Sequence, residues 1–305
     1  MDMEKCTQHM HCPLVRALRS VFAASGKDAT GIGGQRSLTE VVEELLQSRG
    51  RTNHRAQYVT GLRQYLTLFA RAHGNAFVDQ VTPAHIERWF ASRHEAPSTR
   101  ASNLGRLSAL FTFARRRGYC ASNPCESVER VRIDHAPPRI LSVDEARKIL
   151  DTCRAQTPAI LPAVALGLFA GVRPHEIERL NWCDVDLVER RVTISAAASK
   201  VRRRRVVPLP PVCVEWLKLC ERKTEKLLPP STTTRRLRRT LSGAVGITWS
   251  ADILRHTAAT YLLGRERDAA RVALWLGNSP KILLTHYVDL VGAGNVDAFW
   301  GLAPQ

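Results

Sequence analysis

Apolar residues recur at helical spacing in four successive segments between residues 37 and 118. The first, SLTEVVEELL, opens with Ser37 and Glu40, which form the pattern of a capping box, and apolar positions then follow the 3.6-residue period. The other three carry a proline at a helix start or a glycine at a helix end: YVTGLRQYLTLFARAHG, TPAHIERWFASR and STRASNLGRLSALFTFARRRG. Four helices in about a hundred residues predict a small all-α domain.

The pattern changes after residue 130. VRIDHAPPR places two prolines between helical segments, which is typical of a linker. Ser142 and Glu145 then repeat the capping-box pattern, and AILPAVALGLFAG predicts a buried helix that ends at Gly171. RRVTIS and RRVVPL are β-branched runs on either side of a turn region, so we predict a hairpin. Further helices are predicted over residues 211–226, 255–263, 267–276 and 280–289, with a short one around NVDAFW.

These elements predict a mainly α protein with a small antiparallel β-sheet and two domains. The predicted segments are a flexible amino-terminal arm over 1–36, a helical domain over 37–130, a linker over 131–138 and an α-rich domain over 139–305. The arm is assigned from its Gly-rich polar end, SGKDATGIGGQR, which has no periodic apolar face.

The charge balance changes the picture from an ordinary globular protein to one with a polyanionic partner. The 305 residues include 45 Lys and Arg against 28 Asp and Glu, which leaves a net charge of +17. Nucleic acid is the partner that this balance favours. A membrane surface is the competing interpretation, but no apolar run approaches the length that spans a bilayer, and the amino terminus lacks the apolar core of a signal peptide. We therefore predict a cytoplasmic, nucleoid-associated protein.

The eight cysteines favour reduced thiols over disulfides, because the chain is long and carries no secretory signal. Cys6, His9, His11 and Cys12 lie close together in the sequence, but their spacing matches no established zinc pattern. We predict no metal site and no cofactor.

Several candidate functional residues lie where elements begin or turn. Arg173 follows Gly171 and precedes a proline, so it is predicted at the amino end of a helix, where a guanidinium can bind two phosphate oxygens with help from the helix dipole. Glu176 can reach back to cap that helix or hold an arginine in place. Arg255 lies at the opening of another apolar helix.

The remaining basic residues form runs. Lys200 lies in the predicted hairpin turn. The arginine runs are Arg115, Arg116 and Arg117 at the end of the last helix of the first domain, and Arg202, Arg203, Arg204 and Arg205 after the turn. Such runs are either solvated charge or contacts to a phosphate backbone.

The segment LGNSPKILLTHYV ends one helix at Gly277 and starts the next at Ser279 and Pro280. Tyr287 lies two turns into that second helix. A tyrosine among apolar residues is most often a packed ring, and nothing within this segment alone makes it a nucleophile.

Four motifs together change the interpretation of Tyr287. GVRPHEIERLNW, the turn Lys200, LRHTAAT and LGNSPKILLTHY, in this order and at these separations, resemble the tyrosine recombinases, also called phage-type integrases. The resemblance covers the chain from about residue 139 to the end, and the helical domain resembles the family's core-binding, SAM-like DNA-binding domain. It implies that the protein is a DNA-binding enzyme of DNA recombination and integration, as carried by mobile elements.

The resemblance implies a role for each matching residue. Arg173 and Arg255 would bind the non-bridging oxygens of the scissile phosphate, and Tyr287 would attack phosphorus to form a 3′-phosphotyrosyl bond. Lys200 would protonate the departing 5′ oxygen. The arginine runs would bind DNA, and no cofactor or metal is implied.

Two positions depart from the family pattern. Asp252 and Asn278 stand where the family usually has His, or for the second position His or Trp. The amide of Asn278 is expected to donate a hydrogen bond to a phosphate oxygen. The carboxylate of Asp252 cannot donate when ionised, and we expect Arg255 or Lys200 to neutralise it.

The sequence therefore predicts a site-specific recombinase that binds double-stranded DNA and acts as a homotetramer on two duplexes. Residues 291–300 are the candidate for the carboxyl-terminal segment that the family's protomers exchange. One alternative is an architectural or regulatory DNA-binding protein that descends from a recombinase and is catalytically impaired, for which Asp252 is the main argument. Another is a type IB topoisomerase, which shares the chemistry but acts as a monomer.

Overall fold

The chain forms two compact units, residues 1–134 and 135–305. The computed structural model describes residues 35–52, 54–74, 76–133, 138–196, 204–250, 252–287 and 293–305. The predicted arm therefore lies almost entirely outside the described residues, as do part of the linker and the turn that carries Lys200. Within the described ranges, every helix falls short of the length and apolarity that crossing a bilayer needs.

The first unit packs its helices around one apolar core. Its α-helices are α1 (Leu38–Arg51), α2 (Ala56–Ala72), α3 (Pro83–Ala91) and α4 (Pro97–Arg116), with short 3₁₀ turns at Val78–Gln80 and Pro124–Ser127. The capping box predicted from the sequence is present: Ser37 Oγ accepts from Glu40 N at 3.3 Å, and Glu40 Oε2 accepts from Ser37 N at 2.9 Å. Leu62, Phe69 and Phe111 are fully buried in the core, which holds the helices together.

The second unit begins with an amphipathic helix followed by a fully buried one. Its first α-helices are α5 (Val143–Gln156), α6 (Leu161–Phe169) and the single turn α7 (Pro174–Ile177). The capping box of Ser142 and Glu145 is again present. All nine residues of α6 are buried, as its unbroken apolar sequence predicts, and Gly171 follows it with a φ of +62°. This left-handed glycine turns the chain sharply towards Arg173.

A three-stranded antiparallel sheet follows, in the order β1 (Val185–Asp186), β2 (Arg191–Ile194) and β3 (Arg205–Pro208). Ile194 pairs with Arg205, so the register fixes where β3 begins. The rest of the unit is helical: α8 (Pro211–Lys218), α9 (Ser231–Val245), α10 (Ile253–Glu266), α11 (Ala269–Leu276), α12 (Pro280–Tyr287) and α13 (Ala293–Trp300). The prediction of a mainly α protein with a small antiparallel sheet is confirmed.

Three local predictions were wrong. The helix predicted over 211–226 ends at Lys218, because residues 225–227 instead form hydrogen bonds with Leu180 and Trp182. The helix α9 was not predicted. Finally, α7 is only four residues long, so the helix dipole that we expected to act at Arg173 is small.

The carboxyl-terminal residues pack on the unit to which they belong. The Phe299 ring stacks on the Tyr261 ring with centroids 3.9 Å apart, and Trp216 Nε1 donates to the Leu302 carbonyl at 2.7 Å. Exchange of residues 291–300 between protomers would therefore require these contacts to break. Residues 291 and 292 lie outside the described part.

Candidate active site

The candidate site lies where three turns of the second unit meet. Arg173 follows the left-handed turn at Gly171, Arg255 is in the first turn of α10, and Asn278 follows the carboxyl end of α11. Tyr287 is the last residue of α12, two turns after Asn278. Its side chain, like all of Lys200, lies outside the described part of the structure.

Arg255 is buried with a relative exposure of 6%. Its Nη1 donates to the Gly171 carbonyl, and its Nη2 donates to the Leu276 carbonyl at 2.7 Å and to Asn278 Oδ1 at 3.0 Å. Backbone carbonyls of two different turns therefore fix the guanidinium. A cation fixed in this way is pre-organised to bind an anion.

Arg173 lies beside it, with its side chain 14% exposed. Its Nη2 donates to the Gly277 carbonyl at 2.7 Å and to Asn278 Oδ1 at 2.6 Å. Its Nη1 is buried and makes no hydrogen bond among the described residues, although Glu176 Oε1 lies 3.5 Å away as an ion-pair partner. Burial lowers the pKa of Arg173, and the nearby carboxylates oppose that effect, but a guanidinium stays protonated at neutral pH. Nη1 is therefore a charged donor whose hydrogen-bonding capacity is not used by the described part of the chain.

Asn278 joins the two arginines. Its Oδ1 accepts from Nη2 of Arg173 and from Nη2 of Arg255, so the side-chain oxygen, rather than the amide nitrogen, faces the guanidinium groups. A guanidinium can only donate, so the Asn278 atom that lies 2.6 and 3.0 Å from the two arginines must be the amide oxygen. We expected the Asn278 amide to donate to phosphate, and the structure instead gives the side chain a bridging position between the two arginines.

Glu176 supplies a buried negative charge next to the arginines. Its side chain has no exposed area, and its Oε2 accepts from the Arg173 backbone N at 3.3 Å, which is the cap that the sequence predicted. Arg205 donates to both carboxylate oxygens, at 2.8 and 2.6 Å. Burial raises the pKa of Glu176, but the hydrogen bonds and charges of Arg205 and Arg173 together lower it by more, so the net pKa falls below its ordinary value.

Arg205 is therefore not an exposed member of a basic run. We expected it to contact the DNA backbone with Arg202, Arg203 and Arg204, but its side chain is 12% exposed and bound to Glu176. Arg204 is exposed, whereas Arg202 and Arg203 lie outside the described residues.

Asp252 occupies the N-cap position of α10 but does not cap the helix with its side chain, which is exposed. Arg255, its expected partner, donates to the two carbonyls and to Asn278 Oδ1. The charge of Asp252 acts on Arg173, whose pKa it raises slightly against the larger effects of burial and Glu176. Lys200, the other expected partner, lies outside the described residues.

The basic surface of the second unit includes residues that the sequence interpretation missed. Helix α9 has no acidic residue, and its arginines are Arg235, Arg236, Arg238 and Arg239. Three of these line an open groove of about 540 Å³ together with Trp249. The string RRLRR indicates a basic patch in the sequence, but without a predicted helix it does not show that these arginines share one surface. In the first unit, Arg115, Arg116 and Arg117 are exposed, and Glu126 binds Arg115 at 3.1 Å.

Known proteins resemble this chain in sequence and in fold. The profile of the phage integrase family matches residues 139–291. Tyrosine recombinase XerC of Mycobacterium sp. (strain JLS) is 27% identical over 265 residues, which are 77% of this chain and 87% of that protein. A shorter match, 36% identical over 81 residues, joins 27% of this chain to 20% of the length of IntQ of Escherichia coli (strain K12), which is named a defective protein.

The fold resembles that of lambda integrase. The structure of a lambda integrase dimer bound to a COC' core site has a TM-score of 0.69 and 16% identity, over 92% of this chain and 82% of that chain. The lambda integrase tetramer bound to a Holliday junction has a TM-score of 0.65 and 14% identity, over 90% and 86% of the two chains. The family profile spans half of the chain and includes Arg173, Arg255, Asn278 and Tyr287. The chain belongs to the phage integrase family.

Proposed function

We propose that the protein is a site-specific DNA recombinase that cuts and rejoins DNA through a 3′-phosphotyrosyl intermediate. The observation that carries the proposal is the pair of guanidinium groups of Arg255, which is buried, and Arg173, which is largely buried; Asn278 holds them together while Nη1 of Arg173 makes no hydrogen bond among the described residues. Two fixed positive charges side by side attract an anion, and the non-bridging oxygens of a phosphodiester can accept from both guanidinium groups.

In the proposed reaction, the Tyr287 oxygen attacks the scissile phosphorus and the 5′ oxygen leaves. Negative charge grows on the non-bridging oxygens as the pentacoordinate transition state forms, and Arg173 and Arg255 stabilise that charge. Lys200 gives a proton to the departing 5′ oxygen. The phosphotyrosyl bond conserves the energy of the broken bond, so attack by the 5′ hydroxyl of a second duplex restores the tyrosine without ATP or a metal ion.

DNA binding is proposed to use basic surfaces on both units. In the second unit, α9 and its groove present arginines with no acidic neighbour on the helix. In the first unit, which we propose to be the core-binding domain, Arg115, Arg116 and Arg117 are exposed. We propose a homotetramer on two duplexes, and the assembly of lambda integrase on a Holliday junction supports this arrangement.

The decisive experiment is covalent trapping. The protein is first used to select bound sequences from random DNA. A selected site is then synthesised with a nick, so that the short fragment that carries the 5′ hydroxyl diffuses away after cleavage and cannot be rejoined. We expect a shifted protein band on a denaturing gel, in which labelled DNA is attached to the protein through the 3′ end of the DNA. Selective binding without any covalent band would favour a catalytically impaired DNA-binding protein, and relaxation of supercoils by a monomer would favour a topoisomerase.

We expect DNA binding to weaken steeply with salt, because each neutralised phosphate releases counterions. Six to ten such contacts would lower affinity by roughly a thousandfold or more between about 50 and 200 mM salt. Replacing Arg235 and Arg239 with Ala should reduce the slope of log affinity against log salt by about two.

Arg63→Ala is the matched control for this measurement, since Glu43 binds Arg63 at 3.3 Å and already neutralises its charge. Its slope should equal that of the unchanged protein. A flat salt response of the unchanged protein, or an unchanged slope in the α9 variant, would contradict the assignment of α9 to the DNA backbone.

We expect Asp252→Ala to raise the rate of strand cleavage. The carboxylate is exposed, and its negative charge acts on Arg173, one of the two proposed phosphate-binding arginines. A gain of about twofold to fivefold at low salt is expected, which salt should diminish. Asp252→Asn keeps the shape without the charge and should show the same gain. A loss with both variants would show that Asp252 orients a cation of the site.

A further inference from the structure

Glu176 lies between two arginines, and the two contacts differ in kind. The Glu176 side chain has no exposed area, whereas Arg173 and Arg205 are 14% and 12% exposed. Arg205 binds both carboxylate oxygens at 2.8 and 2.6 Å, while Nη1 of Arg173 lies 3.5 Å from Oε1. The carboxylate is therefore bound in a bidentate pair by Arg205 and only approached by Arg173.

The charge balance explains why this difference matters. One buried carboxylate and one guanidinium cancel, so a site with only Glu176 and Arg173 would have no net charge left for phosphate. A close pair would also turn the Arg173 N–H groups away from an incoming anion. With Arg205 on the carboxylate, the group of three keeps one positive charge, and it is carried by Arg173.

Arg205 also fixes the turn that holds Arg173. Its Nε donates to the Trp275 carbonyl at 3.4 Å, near the end of α11. The next residues of that turn provide the two acceptors of Arg173 Nη2, which are the Gly277 carbonyl and Asn278 Oδ1. A Cβ atom at Gly277 would lie 3.3 Å from Arg205 Nε and 3.4 Å from Arg173 Nη1, so both arginines pack directly on this glycine.

We propose that Arg205 is a positioning residue of the strand-cleavage reaction: it occupies Glu176 so that Arg173 stays free to bind the scissile phosphate. The inference rests on the proposed function of the site. Arg205 then needs no contact with DNA. When Arg205 is absent, Glu176 would inhibit cleavage, because its carboxylate would pair with Arg173.

The test uses the full chain with four changes: Arg205→Met, Arg205→Lys, Glu176→Gln and the double change Arg205→Met with Glu176→Gln. Each protein is measured for single-turnover cleavage of the nicked substrate, for affinity for the same DNA, and for thermal unfolding between about pH 4 and 8, the range in which a perturbed carboxyl titrates. Met approximates the length of Arg without its charge, and Gln keeps an acceptor for the Arg173 backbone N–H.

Arg205→Met should slow cleavage by about tenfold to a hundredfold while DNA affinity changes by less than about threefold, since a misplaced clamp affects the transition state more than binding. The double change should recover most of the lost rate, because the neutral amide of Glu176→Gln no longer competes for Arg173. Arg205→Lys should give an intermediate rate, because lysine keeps the positive charge but cannot bind both oxygens of Glu176 with bidentate geometry.

Unfolding provides a second readout that does not require catalysis. In the unchanged protein, the pKa of Glu176 is lowered, so its contribution to stability is present above the unfolded pKa and is lost as pH falls through the folded pKa. Without Arg205, the carboxylate keeps only Arg173 against the effect of burial, so its pKa is higher than in the unchanged protein. The difference in Tm between the unchanged protein and Arg205→Met should therefore widen as pH rises from about 4 to 7, and the double change should remove most of this pH dependence.

The outcomes separate the inference from the proposed function. A chain that forms no covalent adduct before any substitution contradicts the proposed function, and the unfolding profiles alone then decide whether Arg205 neutralises Glu176. An active chain in which Arg205→Met cleaves at the unchanged rate overturns the inference. So does a double change that is no faster than Arg205→Met, or a loss of DNA affinity as large as the loss of cleavage.

Discussion

Tyr287→Phe is expected to bind DNA with unchanged affinity and to form no covalent adduct. The substitution removes one oxygen and leaves the aromatic ring, so packing and charge are nearly unaffected. No other group of the proposed reaction supplies a nucleophile to phosphorus. The measurement is covalent trapping on the nicked substrate, with affinity for the intact site measured in parallel.

Tyr261→Phe is the matched control for this change. Tyr261 belongs to the same unit, is buried against Phe299, and has its hydroxyl 3.4 Å from the Leu141 carbonyl, so its loss tests only the general effect of removing a phenolic oxygen. It should form the adduct at nearly the unchanged rate. An adduct that persists in Tyr287→Phe would move the nucleophile to another residue.

Arg173→Ala should lower the rate of strand cleavage by about two to three powers of ten and weaken DNA binding only modestly. The guanidinium makes its strongest contact as charge develops on the phosphate, so its removal acts on the transition state. Removing it also leaves the Gly277 carbonyl without that donor, and thermal unfolding should accompany the kinetics to measure any structural loss.

Arg173→Lys separates charge from geometry in the same position. Lysine keeps a positive charge but cannot donate at once to the Gly277 carbonyl, to Asn278 Oδ1 and to a phosphate with the planar geometry of a guanidinium. It should recover binding fully and cleavage only in part. Equal losses of binding and cleavage in Arg173→Ala would instead make Arg173 an ordinary phosphate contact.

Local signals in the sequence located most helices, because those signals act within a few residues. Ser37 with Glu40 and Ser142 with Glu145 form the predicted capping boxes, and Gly74, Gly118 and Gly171 take the left-handed conformation that ends a helix. Each of these features depends on side-chain and backbone groups of one turn. The sequence therefore specifies them without knowledge of the rest of the fold.

Elements that depend on distant partners were not predictable in the same way. Helix α9 begins with Ser and three threonines, which are weak helix formers, and its arginines repel each other three and four residues apart. Burial of Thr234, Leu241 and Val245 against the unit stabilises it instead. The helix predicted over 211–226 does not reach its predicted end, where residues 225–227 form backbone hydrogen bonds with residues 180 and 182.

The candidate site shows the same division. The motifs of the family resemblance make Arg173, Arg255, Asn278 and Tyr287 candidates, because a motif consists of residues in a fixed order along the chain. The contacts within the site could not be predicted in this way, since Arg205 is 29 residues from Glu176 and Asn278 is 105 residues from Arg173. A run of four arginines looks uniform in the sequence, yet Arg205 is largely buried against Glu176 and Arg204 is exposed.

The left-handed turn at Gly277 has a consequence for engineering. A library that randomises the loops around the candidate site would include this position. At position 277 every other residue would place a Cβ 3.3–3.4 Å from the side chains of Arg205 and Arg173 and would have to adopt a φ of +63°, so substitution would disturb both arginines before selection acts on DNA sequence. A library that holds residue 277 constant and varies the arginines of α9 would leave these contacts intact while sampling a surface that we propose to bind DNA.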